Sequence, residues 1–295
     1  MGVLNKGYKN KVLLAGASGA LGLEVLKLLS EKGLEVRAFI KSEDDDEEVS
    51  HYTKDIWKAD ASKKASVLKD ITKDISIIVS ALGKSVSLFT NRGNSFLEDD
   101  FYANRNILND ALNHSVKRFI YVSIKGVEEA DDFEIPKSHK MFEDVLRDSD
   151  LNYTILRPVG FFSGLNDLLI MAKRKIIPVI GDGQAKTNSI HQKDLAKIIL
   201  DQLEDGPQLL EVGGPLIHTR LEMAEFIKNR IGGEILKVPE KIAEWGMVIP
   251  EIIDENMAER LKFFKYINTH DMIGVRNGNI SFNKYLKDID KKDLP

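Results

Sequence analysis

The chain has 295 residues, 43% of them hydrophobic, which is enough for one large α/β domain or two of ordinary size around a sizeable core. Charged residues make up 30% but nearly cancel, to a net -4, which excludes the broad basic field that nucleic acid or an anionic membrane requires. Cysteine is absent, which rules out disulfides, thiolate nucleophiles and Cys-ligated metal. No His pair has metal-ligand spacing, and no apolar run nears the ~18 residues of a membrane span, so a non-metallic, cytoplasmic protein is expected.

In chain order, KVLLA (11–15) reads as a strand buried on both faces and leads into a glycine-spaced turn. Leu21, Val25, Leu28 and Leu29 then recur at helical spacing until Gly33 ends the helix. LEVRAFI (34–40) is a second strand, EDDDEE (43–48) a solvated loop, 62–72 a helix and ISIIVSA (75–81) a third buried strand. A long helix follows over 99–114, then strand RFIYVS (118–123), a helix over 138–149 and strand NYTILRP (152–158), closed by proline.

Strands separated by helix-length segments cannot pair as hairpins. The pattern therefore predicts a doubly wound parallel α/β sheet with helices on both faces. Ligands of such sheets bind at the carboxyl ends of the strands, here the turns after residues 15, 40, 81, 123 and 158. Beyond residue 160 the alternation fades into PVIGDGQAK, a helix over 192–203, LLEVGGP and a helix over 220–231. The expected division is a cofactor-binding domain over 1–160 and a smaller lobe over 161–295 packed tightly on it, with no flexible linker between them.

GASGALG comprises Gly16, Ala17, Ser18, Gly19, Ala20, Leu21 and Gly22, placed directly between a strand and a helix. The first glycine permits a tight turn, the second lets backbone approach a pyrophosphate and the third lets helix and strand pack, while the helix N-terminus offers N–H groups to the phosphates. A dinucleotide is expected here. Its type depends on the end of the second strand, where NAD sites offer a carboxylate and NADP sites a cation. VRAFIKS offers Arg37 and Lys41, so NADP(H) is favoured over NAD(H), although both cations also read as solvated strand-end charges. Asp60 is placed to meet the adenine side or to cap a turn.

The blocks LLAGASGALG, VRAFIK, IIVSALG, DFYANRNILNDALNHSVKRFIYVSIKG, KMFEDVLRDSDLNYTILRPVGFF and IHQKDLA, in this order, resemble the atypical short-chain dehydrogenases/reductases. The branch they resemble includes NmrA-like and isoflavone-reductase-like proteins and nucleotide-sugar epimerases. The resemblance implies a Rossmann fold. It places Ser80, Ala81, Leu82 and Gly83 beside the cofactor, Ser123 near the nicotinamide, and Pro158, Val159, Gly160 and Phe161 at the edge of the nicotinamide pocket. Asp194 and His191, in IHQKDLA, read as structural supports at a helix start.

Members of this superfamily with the usual chemistry carry YxxxK, which puts a phenol and a lysine on one helix face. Here Lys140 aligns with the lysine, and Pro136 stands four residues before it. A proline has no proton to give, so an ordinary tyrosine-dependent epimerase or dehydrogenase is disfavoured. Lys140 is then the candidate that holds the cofactor ribose and relays a proton, unless it merely pairs with Asp144 at i+4. The resulting expectation is an NADPH-dependent reductase acting on a small molecule, with a non-catalytic redox-sensing protein that binds a partner, or an epimerase/dehydratase, as alternatives. The apolar set Trp245, Met247, Ile249, Ile252, Ile253, Met257, Leu261, Phe263 and Phe264 is expected to pack on the sheet lobe, or in part to line a substrate pocket.

Overall fold

The first half of the chain forms β1 (Val12–Ala15), β2 (Val36–Ile40), β3 (Asp55–Lys58), β4 (Ile77–Ser80), β5 (Arg118–Val122) and β6 (Asn152–Pro158). The second half forms β7 (Ile176–Ile180), β8 (Lys186–Thr187), β9 (Leu209–Gly213), β10 (His218–Thr219), β11 (Glu234–Val238) and β12 (Val275–Arg276). Helices are α1 (Ala20–Glu31), α2 (Glu47–Ser50), α3 (Ala103–Ala111), α4 (Glu134–Arg147), α5 (Asn166–Lys173), α6 (Gln192–Asp201), α7 (Arg220–Ile231), α8 (Glu255–Thr269) and α9 (Phe282–Asp288). This computed structural model describes residues 11–289 apart from 43, 45, 64, 90–92, 131 and 242–254, so Trp245, Met247, Ile249, Ile252 and Ile253 lie outside the described residues.

The main sheet has the order β12-β9-β6-β5-β4-β1-β2-β3, and every pairing in it is parallel. Its carboxyl ends therefore lie along one edge. In β1 the side chains alternate between faces: Val12 and Leu14 join the layer of α1 and α6, while Leu13 and Ala15 join that of α3 and α4. All four are fully buried, which is why KVLLA reads as an unbroken apolar run.

Several local expectations need correction. DIWK forms an additional edge strand, β3, although its four residues are only partly buried or exposed and show no strong apolar pattern. The helix expected over 62–72 is a single 3-10 turn, Ala65–Leu68, closed by Asp70 and Asp74 at φ 66° and 63°. The long helix opens with a π-helical turn, Leu97–Tyr102, ahead of α3. Helix α4 starts at Glu134, which sets Pro136 in the first turn where a missing N–H costs no helical hydrogen bond.

The boundary at residue 160 is also not where the layers divide. Strands β9 and β12 extend the main sheet, and α6 covers the same face as α1 through Leu195, Ala196 and Ile199. The separate layer is smaller: Leu169, Ile177, Ile227 and Phe282 cluster between α5, the β7–β11 pair, α7 and α9. Helix α8 packs through Phe263 on Phe96 and Ile135. Among the described residues no helix is long and apolar enough to cross a membrane.

Candidate functional site

Gly16 leaves β1 at φ +81°, and its N–H donates to Phe39 O of β2 at 2.9 Å. A Cβ at Gly16 would lie 2.8 Å from Ala81 O, so the loop after β4 runs against the turn. A Cβ at Gly22 would lie 2.0 Å from Gly16 O, so α1 and the turn touch backbone to backbone. Gly19 is the N-cap of α1 in extended conformation, and no side chain caps the helix. Ala20 and Leu21 open the helix, with Leu21 buried, and Ala17 is fully buried beneath the turn. The result is an uncapped helix start, closely approached backbone and no room for a side chain. This cradle fits a dinucleotide pyrophosphate.

At the end of β2 the two predicted cations part. Arg37 is the second residue of β2, paired in register with Leu13 and Asp55, toward the amino end of the sheet. Its guanidinium bonds Asp55 at 3.2 Å and the carbonyls of Ile71 (2.7 Å) and Lys73 (3.2 Å), and it lies over the Trp57 ring. It is a structural residue, and its expected phosphate role is withdrawn. The sequence could not distinguish the two cations without the strand's register. Lys41 does stand at the carboxyl edge, where its Nζ meets Asp99 at 2.9 Å. Beside it the Asp44 carboxylate accepts from the Ser18 hydroxyl on the glycine turn and from Lys41 N at 3.4 Å. Asp60 accepts from Ser62 N (3.0 Å) and Oγ (2.6 Å) and meets Lys63 at 3.3 Å. Its pKa is held down by these hydrogen bonds against the opposing effect of burial. That carboxylate caps a turn.

Along the same edge Ser80 is fully buried and donates to Asn104 Oδ1 at 2.5 Å, and Ala81 N donates to Ala15 O at 2.9 Å. Leu82 and Gly83 follow, with Gly83 facing Asp100. Pro158 ends β6, Val159 N donates to Val212 O at 2.9 Å, Gly160 turns at φ +146° and Phe161 bridges to Ile190. Ser123 directly follows β5 and is buried, with its hydroxyl on Glu143 Oε1 at 2.6 Å. Glu143 itself is fully buried and grips Arg157 through both oxygens, at 2.9 and 2.6 Å. Ser123 is thus the outer member of a buried ionic network, and its hydroxyl is already committed.

Lys140 requires a second correction. The buried face of α4 carries Ile135, His139, Phe142, Glu143 and Leu146, and Lys140 lies off it, held by Glu128 (3.2 Å) and Asp144 (3.6 Å). Its pKa is raised, chiefly by the hydrogen bond to Glu128, so it gives up a proton less readily than a free lysine. The residue that faces inward is its neighbour His139, whose Nδ1 lies 2.6 Å from the Tyr121 hydroxyl. His139 Nε2 is 3.7 Å from Asp100 Oδ2, and Oδ2 has no hydrogen-bond partner. Burial lowers the His139 pKa to about 4 and raises that of Asp100 to about 8. Burial thus disfavours the charged form of both groups, and the pair is not an ordinary ion pair. The YxxxK spacing points to Lys140, whereas the apolar i, i+7, i+11 spacing of Ile135, Phe142 and Leu146 carries the signal for the helix phase that turns His139 inward. Asp194 and His191 are structural as expected: Asp194 accepts from Asn279 N and Ile280 N, and His191 Nδ1 caps α6.

A family model described as NAD(P)H-binding matches residues 16–206, from the first glycine of the turn to the residues before β9. The chain belongs to that NAD(P)H-binding family. Its nicotinamide cofactor is thereby established, as is the Rossmann-type architecture that the motifs resemble. The chain is 27% identical over 293 residues to divinyl chlorophyllide a 8-vinyl-reductase of Cucumis sativus, covering 89% of this chain and 68% of that one. It is 27% identical over 155 residues to the photosystem II assembly factor Ycf39 of Cyanophora paradoxa, covering 52% of this chain and 46% of that one. In fold it matches the NADPH-dependent quinone oxidoreductase QOR2 of Escherichia coli, solved with NADPH, at TM-score 0.69 and 15% identity, over 94% of this chain and 98% of that one.

Proposed function

We propose that the protein is an NADP(H)-dependent reductase of the short-chain type that works on a small molecule without the YxxxK tyrosine. The observation that carries this reading is the carboxyl edge: a turn that admits no side chain at Gly16 or Gly22, below an uncapped helix and beside the strand-end loops 81–83 and 158–161. The turn and helix start would hold the pyrophosphate. Ser18 and Lys41 would hold the adenosine phosphate, because the Asp44 carboxylate already shows that the Ser18 hydroxyl and the Lys41 amide converge on one anion. When bound, the nicotinamide supplies hydride. A relative named as a reductase and a structural neighbour solved with NADPH support the same reading.

Fluorescence titration of NADPH and NADH tests it. NADPH is expected to bind more tightly, and Asp44→Ala should widen the gap by removing the competing carboxylate. Tighter NADH binding that persists in Asp44→Ala would reject the preference. Turnover is tested by NADPH oxidation with quinones, enones and divinyl chlorophyllide. The second reading, a cofactor-binding assembly or regulatory protein with a protein partner, is favoured by one observation: the inward residue of α4 is a buried histidine tied to the Tyr121 hydroxyl at 2.6 Å, not an exposed acid. That reading predicts NADPH binding without oxidation. An epimerase is the weakest reading, since Pro136 fills the tyrosine position.

A further inference from the structure

Hydride transfer to a carbonyl leaves the product one proton short, and the side chains expected to supply that proton at the carboxyl edge are engaged elsewhere. Ser80 donates to Asn104, Ser123 to Glu143, and the Lys140 ammonium is held by Glu128 and Asp144. Lys41 and Lys125, in the loops after β2 and β5, also meet carboxylates, Asp99 at 2.9 Å and Glu211 at 2.8 Å. One further lysine stands at this edge. Lys84 directly follows the Ala81–Gly83 segment that runs against the glycine turn, and among the described residues no carboxylate pairs with its ammonium.

The backbone of Lys84 is fixed, since its N–H donates to Asp100 Oδ1 at 2.6 Å. Its Nζ donates to Asn94 O and lies 5.1 Å from the centroid of the Phe96 ring. Phe96 is fully buried and packs with Ile124, which follows Ser123, and with Ile135 in the first turn of α4. The ammonium therefore sits between the loops after β4 and β5, with a neutral carbonyl and a ring face as its contacts. The charged groups around it are Asp99 and Asp100 of the π-helical turn, Arg260 of α8 and Lys41 after β2. Burial has the largest effect and lowers the Lys84 pKa; Arg260 and Lys41 act in the same direction, Asp99 and Asp100 oppose it, and the net shift is downward. Lys140, with its two carboxylates, is shifted the other way, so of the two lysines Lys84 releases a proton more readily.

We propose that Lys84 is the proton donor of the site and delivers its proton to the oxygen of a conjugated carbonyl substrate such as a quinone. The inference rests on the reductase reading, which supplies the hydride. The conjugated system receives that hydride from the nicotinamide, and the displaced electron pair collects on the carbonyl oxygen. This oxygen takes the proton as the Lys84 Nζ–H bond breaks, and the nitrogen keeps the bonding pair. The product carries a hydroxyl group, the lysine is left as a neutral amine, and a proton from solvent restores the ammonium. The role that a tyrosine of α4 fills in YxxxK proteins thus passes to the loop after β4, where Pro136 has no bearing on it.

The test uses the full chain with menadione as hydride acceptor. Lys84→Arg keeps the charge but holds its proton too tightly to give it up. It should bind NADPH within about threefold of the wild type and lose about 100-fold or more of kcat, and Lys84→Gln should lose as much, which covers an arginine that does not fit. The wild-type rate should fall as rising pH deprotonates Lys84; this limb should vanish in Lys84→Arg and remain in Asp100→Asn, which separates it from the ionisation of the neighbouring carboxyl. A second readout needs no turnover. Reductive methylation with isotope-labelled formaldehyde gives each lysine an NMR signal, and the one absent from Lys84→Arg should titrate at lower pH than the exposed lysines and move when NADPH binds. Turnover of Lys84→Arg within about threefold of the wild type, or a Lys84 signal that titrates with the exposed lysines or ignores NADPH, overturns the inference. A Lys84 signal that titrates low and responds to NADPH, in a wild-type protein that oxidises no NADPH with menadione, cyclohexenone or divinyl chlorophyllide, overturns the reductase reading instead.

Discussion

At the scale of single residues the glycine turn is the least tolerant part of the chain. Gly22 has no strained φ to explain it; what forbids a side chain is Gly16 O at 2.0 Å and Ala17 Cα at 2.9 Å from an added Cβ, both backbone atoms that cannot rotate away. Gly22→Ala should therefore cost on the order of 2 kcal/mol and abolish NADPH binding, as measured by denaturant melts and cofactor titration. Asp100 gives a pH prediction. Its unfolded carboxyl ionises near 3.8 while the folded one keeps its proton to about 8, so its contribution to stability is full below pH 3.8 and is lost as pH rises to about 8. His139 runs the other way, with a contribution full above 6.5 and lost as pH falls toward about 4. The two effects oppose each other at acid pH and Asp100 acts alone from 6.5 to 8, with a limiting slope of about 1.4 kcal/mol per pH unit. Asp100→Asn should flatten the fall in melting temperature over that window. An unchanged slope would place the ionisation elsewhere.

At the scale of elements, α4 carries a structural anchor on its buried face and a surface pair beside it. Glu143 is fully buried between Arg157, Arg147 (2.7 Å) and the Ser123 hydroxyl, and it locks α4 to the ends of β5 and β6. Removing it leaves the buried Arg157 guanidinium with the half-exposed Glu128 at 2.8 Å, so Glu143→Ala should cost about 3 kcal/mol. Lys140 is three residues away and about a third exposed, with two carboxylate partners. Lys140→Ala should cost under about 1 kcal/mol and leave NADPH oxidation intact. Urea melts of the two variants, with turnover of the second, check both expectations. A Lys140→Ala protein that folds and binds NADPH but has lost turnover would restore the lysine to the mechanism.

At the scale of the whole molecule Asp194 of α6 ties the C-terminal segment to the layer that covers the sheet. Its carboxylate, 2% exposed, accepts from Asn279 N (2.9 Å) and Ile280 N (2.8 Å), just after the pairing of β12 with β9. Asp194→Ala leaves two backbone donors without this acceptor. It should lower stability by about 1–3 kcal/mol and raise amide hydrogen exchange over 275–289 more than over β1 or β4.

The sequence by itself determined the parallel sheet, because unbroken apolar strands alternating with amphipathic helices have no other economical packing, and it determined the glycine turn, because only glycine meets those backbone contacts. It also determined that the usual tyrosine is missing, since Pro136 has no proton to offer. Tertiary structure decided the rest. Strand register turned Arg37 toward Asp55 and away from the cofactor edge, helix phase turned His139 inward and Lys140 outward, and β9, β12 and α6 joined the sheet layers across residue 160. Arg220 and Arg260 show the same limit most plainly: forty residues apart in a chain with no basic cluster, they meet in one cleft because α7 and α8 pack around it. Spacing along a chain fixes which residues share a strand or helix face, whereas charge carried on separate elements converges only when those elements pack.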